Sequence, residues 1–184
     1  MVTLDKADEH SEGRSRQRGF SLIELLIVVA IILIIAAIAI PNYLSAKIAA
    51  NQAAAASGVR TITSASVVYS TTYGNGFAPT LAALGGVAAP PTCNGALLLD
   101  PLLSTAPNQK SGYLFSYLPQ GAAIANPPAG CAAGYMQYLV TATPLGTSTG
   151  TNSYCSDEPG TIHFDSNGAA IATPAACEAL PVLQ

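Results

Sequence analysis

Residues 20–40, FSLIELLIVVAIILIIAAIAI, form one apolar run broken by a single charge, Glu24. As a helix rising 1.5 Å per residue, this run is about 32 Å long. That is enough to cross a bilayer's hydrocarbon core, which is about 30 Å thick. Arg14, Arg16 and Arg18 stand just before it. Basic residues on that flank predict a cytoplasmic N-terminus, with the rest of the chain outside. A carboxylate within such a helix costs a few kcal/mol on insertion scales, so Glu24 requires a physical reason.

A secretory signal peptide also has a basic start and an apolar middle, and Ala37-Ile38-Ala39 fits its small-x-small cleavage pattern. Three features argue against that reading. The apolar run is longer than the middle region of a signal peptide, Glu24 has no place in one, and the helical pattern continues past the supposed cut. Beyond Pro41, Ile48, Gln52, Ala55, Val59, Ile62, Ser66 and Tyr69 recur at alternating spacings of four and three. That is one face of a helix. Pro41 has no backbone N–H and is expected to kink or interrupt this helix.

Half of the 184 residues are apolar and only 9% are charged. Lys6, Arg14, Arg16 and Arg18 are four of the seven basic residues, and all precede Gly19. Beyond Gly19, three basic residues face six acidic ones. This leaves no basic patch of the kind that holds a nucleic acid, so none is expected as a partner. The four cysteines, Cys93, Cys131, Cys155 and Cys177, lack the close spacing of a zinc site. All lie downstream of the membrane-type segment and read as two disulfides in an oxidising compartment. Three pairings are open; the sequential one, Cys93–Cys131 with Cys155–Cys177, closes the shorter loops and is preferred.

Composition shifts near Tyr73. Gly74-Asn75-Gly76 ends the helical periodicity. Short helical turns are expected in residues 79–86 and 95–100, inside a loop region that holds Cys93. Strands are expected over 112–118, 135–142, 153–155 and 161–164, with Asp157-Glu158-Pro159-Gly160 as a hairpin turn. This predicts a three- to four-stranded antiparallel sheet. The chain contains neither G-x-S-x-G nor G-x-x-x-x-G-K. His163 reads as a structural or exposed strand residue. Asp157, Glu158 and Asp165 supply oxygens of the kind calcium takes, but they read better as a solvated acidic turn. No catalytic residue, metal or cofactor is expected, and the chain is not read as an enzyme.

Arg18-Gly19-Phe20-Ser21-Leu22-Ile23-Glu24-Leu25-Leu26, followed by the apolar helix and Pro41, resembles the N-terminus of type IV pilins and pseudopilins. The resemblance covers about thirty residues; the rest of the chain matches only in organisation. It implies a pilin-like α+β fold: a long N-terminal helix packed on the antiparallel sheet, with a disulfide-bounded C-terminal region. The implied division is a leader over 1–19, a transmembrane and assembly helix over 20–41, and its amphipathic continuation over 42–73. A helix-to-sheet loop region follows over 74–111, then sheet and disulfide region over 112–184.

The resemblance further implies that a prepilin peptidase cuts between Gly19 and Phe20 and that Phe20 is then N-methylated. The subunit would wait in the inner membrane as a single pass. An inner-membrane platform and its ATPase would then draw it into a helical, cell-surface filament. Glu24 would be the counter-charge of the new Phe20 amine, in its own chain or a neighbour's, and so set register. Pro41 would be the point near which the assembly helix loses regularity. Many members carry a glycine there, whereas residues 25–40 hold none. The leader is also longer than in the nearest pilins. Calcium-binding pseudopilins carry Asp-Pro-Trp-Gly; here Asp100-Pro101 is followed by Leu102-Leu103, and tryptophan is absent. The reading is therefore a type IV pilus subunit. A type II secretion pseudopilin is the first alternative, and a membrane-anchored extracytoplasmic binding domain the second. Similar subunits serve twitching motility, adhesion, DNA uptake and surface sensing. Thr147-Ser148-Thr149 could carry O-linked sugars.

Overall fold

Helix formers dominate residues 22–73, and they fold as one helix, α1 (Leu22–Tyr73), with Pro41 inside it. The computed structural model describes residues 20–86 and 89–183. Of the two expectations for Pro41, a kink or an interruption, an interruption does not occur. A proline costs one backbone bond and a ring clash, about 3 kcal/mol in a helix interior. The C-terminus of α1 is set by Gly74, whose φ is +59°. Its N–H donates to the Ser70 carbonyl at 3.1 Å, the left-handed cap that glycine makes at least strain.

The chain divides into two compact units at Pro41. The first holds the apolar half of α1, whose large side chains are exposed from Phe20 to Ile40. The second, from Asn42 onward, contains the rest of α1 and a five-stranded antiparallel meander in sequence order. Its strands are β1 (Gln109–Lys110), β2 (Tyr113–Ala123), β3 (Tyr135–Pro144), β4 (Ser153–Ser156) and β5 (His163–Asp165). Short helices α2 (Leu81–Leu84), α3 (Pro101–Ser104) and α4 (Pro174–Glu178) decorate the connections.

Period-two alternation gives the sheet two covered faces. Tyr117 pairs with Val140, and both belong to the cluster that meets α1. One residue on, Leu118 pairs with Leu139. These two pack with Cys155, Ile171 and Cys177 on the opposite face. From α1, Ala55, Val59, Ile62 and Tyr69 are fully buried against the first face. The predicted stripe is therefore real from Ala55 onward, while Ile48 and Gln52 are only half-buried. Gly58 sets the closeness of the contact: a Cβ there would lie 2.6 Å from Phe115 Cε1. Tyr117 and Tyr138 stack with centroids 5.5 Å apart and planes within 6°.

Both disulfides follow the sequential pairing, Cys93–Cys131 and Cys155–Cys177. The second ties α4 beneath the sheet. Beyond it the tail runs beside β5: Phe164 N–H donates to Pro181 O, and Leu183 N–H donates to Ile162 O.

The sheet has five strands rather than three or four. The additional one, β1, is two residues long, too short for any periodicity. It exists because Ser111 and Gly112 take positive φ, +52° and +75°, the geometry of a tight two-residue hairpin. The expected helical turn over 95–100 falls instead at α3, where the Asp100 side chain accepts from Leu103 N–H and Pro101 opens the helix. α4, unforeseen in the sequence, has the same signature in Thr173-Pro174.

Gly58→Val forces a branched side chain into the space of Phe115. The expected loss is about 1–3 kcal/mol, read as a lowered melting temperature of the detergent-solubilised chain; an unchanged melt would show that Phe115 has room to move. Replacing Cys155 and Cys177 together by serine should cost about 2–4 kcal/mol. Hydrogen exchange should then speed up at the Phe164 and Leu183 amides before those of β2 and β3.

Candidate functional site

The site begins where α1 begins. Ser21 stands just ahead of the helix, and its carbonyl accepts from the Glu24 and Leu25 N–H groups at 3.1 and 3.3 Å. Its own N–H donates to Glu24 Oε2 at 2.9 Å. This is the glutamate half of a capping box, in which the third helical residue reaches back to the N-cap backbone. The spacing of Ser21-Leu22-Ile23-Glu24 is the sequence signature of this cap. A carboxylate at this position is also favoured by the helix dipole.

One bond does not exhaust the carboxylate, whose two oxygens offer about four lone-pair sites. Phe20 lies one turn before Glu24 and is 78% exposed. Gly19, the other half of the expected cleavage site, lies outside the described residues. Pro41 is seventeen positions beyond Glu24, about 25 Å along a helix; the two share an element but not a site. Between them runs an uncovered apolar surface that includes Leu25, Leu26, Ile31, Ile34, Ile35 and Ile38. Burying one such side chain is worth about 1.5–3 kcal/mol. A surface of this extent calls for lipid or other helices, and α1 is long and apolar enough to cross a membrane.

The acidic turn departs from expectation. Asp157 is 1% exposed and therefore not solvated. Among the described residues its Oδ2 has no hydrogen-bond partner. Burial raises the Asp157 carboxyl above its ordinary value, with Glu158 and Glu178 adding repulsion and His163 opposing it. Burial also pushes Tyr138 up to about 12, so its hydroxyl stays protonated. Asp165, the third oxygen-bearing candidate, accepts instead from the Asn167 backbone and side-chain N–H groups at 3.0 and 3.2 Å. Among the described residues, no three His, Cys, Asp or Glu side chains gather as metal ligands. His163 is structural: its Nδ1 lies 2.7 Å from Leu180 O. A carbonyl only accepts, so that nitrogen carries the proton.

An apolar helix opened by a glutamate cap one turn after a phenylalanine defines a class. Residues 14–40 match the family model described as the prokaryotic N-terminal methylation motif. A named relative is the type IV major pilin protein PilA of Myxococcus xanthus (strain DK1622), 50% identical over 52 residues. That match takes in 28% of this chain and about a quarter, 24%, of the relative. No solved structure matches the chain. The long helix, antiparallel sheet and two C-terminal disulfides form a pilin-like α+β fold.

The buried carboxyl sets a pH dependence. Its folded-state pKa lies above the unfolded value, so the folded state holds the proton more tightly. Below the unfolded pKa the group carries no charge penalty. As pH rises through the folded pKa, the group ionises in a dry site and stability falls. Asp157→Asn should therefore melt above the parent at pH 7, with the gap narrowing towards pH 4; a gap independent of pH would contradict this.

Proposed function

We propose that this protein is the structural, non-enzymatic subunit of a type IV pilus filament. A prepilin peptidase cuts after Gly19 on the cytoplasmic side, and the new Phe20 amine is methylated. The processed subunit waits in the inner membrane as a single pass, its α1 apolar half in lipid and its outer unit outside. An inner-membrane platform driven by a separate ATPase then draws it into a helical filament at the cell surface. The observation that carries this reading is Glu24, held by its bond to Ser21 N–H one turn from Phe20 in an otherwise apolar helix.

Cleavage converts the Phe20 amide nitrogen into a cationic amine. In an apolar bundle, an unpaired amine and an unpaired carboxylate each cost several kcal/mol. Together they offset one another, and Glu24 retains acceptor capacity for the amine. Because a mispaired register leaves both charges stranded, the pair fixes the axial position of each subunit, as a lone polar residue does in a coiled coil. Between neighbouring helices lacking other polar groups, shape alone sets register poorly.

The mature chain should have a mass starting at Phe20 and increased by one methyl group; an intact leader would overturn the processing step. Glu24→Ala should still be cut after Gly19 yet form few surface fibres by electron microscopy. Assembly of Glu24→Ala at the parent's rate would remove the register role. Short periplasmic assemblies in place of long surface fibres would identify a secretion pseudopilus.

A further inference from the structure

The charges of the outer unit are sorted by place. From Asn42 onward its basic residues are Lys47, Arg60 and Lys110, and its acidic ones are Asp100, Asp157, Glu158, Asp165 and Glu178. Lys110 pairs with Asp100 at 2.8 Å. Lys47 and Arg60 both lie on α1, with no carboxylate in ion-pair reach among the described residues. Glu158 and Glu178 gather around Asp157, close enough to disfavour its charge. Uncompensated positive charge therefore sits on the helix, and uncompensated negative charge at the β4–β5 turn and α4.

Arg60 lies in an open groove of about 380 Å³, with Ser57, Ser64, Val68 and Leu98 around it. The groove offers a guanidinium, hydroxyls and apolar side chains together. α4 offers the complement. Glu178 is exposed at its end, and the neighbouring Ala175, Ala176 and Ala179 are exposed and small, so a partner can approach the backbone closely. α4 is held in place by the Cys155–Cys177 bridge and by the Thr173 cap, which accepts from Ala176 N–H at 3.2 Å. An arginine suits this task because its planar fork can take a carboxylate through two parallel bonds.

We propose that the groove around Arg60 receives α4 of a second copy of this chain, with Glu178 pairing with Arg60. The two patches are different surfaces of one molecule, so the contact is head-to-tail. A head-to-tail contact whose rotation does not close builds an open helix. Exposed ion pairs are individually weak; here the contact repeats at every subunit. The inference rests on the filament reading and adds to it a contact between outer units, separate from the N-terminal helices.

The test expresses the full chain in cells that carry a pilus assembly machine. Like charges placed across a contact repel strongly, so Arg60→Glu and Glu178→Arg should each lower fibre yield about tenfold, while the double exchange should restore most of it. All three variants should keep the parent's melting temperature. A photo-crosslinking residue at position 64 should form an adduct with a peptide spanning residues 174–183 of another copy. Single variants that assemble at the parent's yield, a double variant no better than the singles, or an adduct with a different protein or segment would overturn the contact while leaving the filament reading intact. Absence of fibres from the parent would overturn both.

Discussion

The outer unit depends on how closely α1 can lie on its sheet. At Gly58 the helix presents no side chain, and the Phe115 ring fills that space. On either side, Ala55, Val59 and Ile62 are fully buried, and the stacked Tyr117 and Tyr138 rings lie on the same sheet face. Interiors packed at this density transmit strain rather than absorb it. One missing Cβ thus helps position the rings that carry much of the core.

Glu24 meets two demands of different origin. As a cap, it satisfies a backbone N–H that the first turn of any helix leaves orphaned. As a lone charge in an apolar segment, it is what an amine at Phe20 would need. The first role is geometric and visible in one chain; the second is the proposed one and needs a cut chain. The two are compatible because a carboxylate has more acceptor sites than one N–H can fill.

The sequence made the long helix readable because its signals are long: an apolar run, a three-and-four stripe, and Gly74 at the end. It also made readable the strands around Tyr117, Tyr138 and Tyr154, whose aromatic and β-branched residues alternate. Two-residue β1 and five-residue α4 were hidden, since neither is long enough to show a period; only Ser111-Gly112 and Thr173-Pro174 marked them. Pro41 reads as a kink or an interruption, and α1 runs through it without a break. Asp157 misled. An Asp-Glu-Pro-Gly turn reads as solvated, and only the tertiary fold, which leaves Asp157 1% exposed, makes it dry. The Ser21–Glu24 cap was fully local and could have been read from spacing alone.

The sheet's two borders are closed to different degrees. β5 is bordered by the tail, through the bridge of His163 with Val182. On the other side β1 pairs with Tyr113 and Leu114, and Phe115 N–H donates to Asn108 O; among the described residues no strand lies beside the rest of β2, and that is where Pro119 stands without an N–H to offer. Bare strand edges are templates for pairing with another chain, and proteins blunt them with short strands, prolines and covering segments. A chain with only 9% charged residues has little charge to keep copies apart, so such pairing is a hazard for it. Such short and covered borders disfavour edge-to-edge pairing with another copy of the chain.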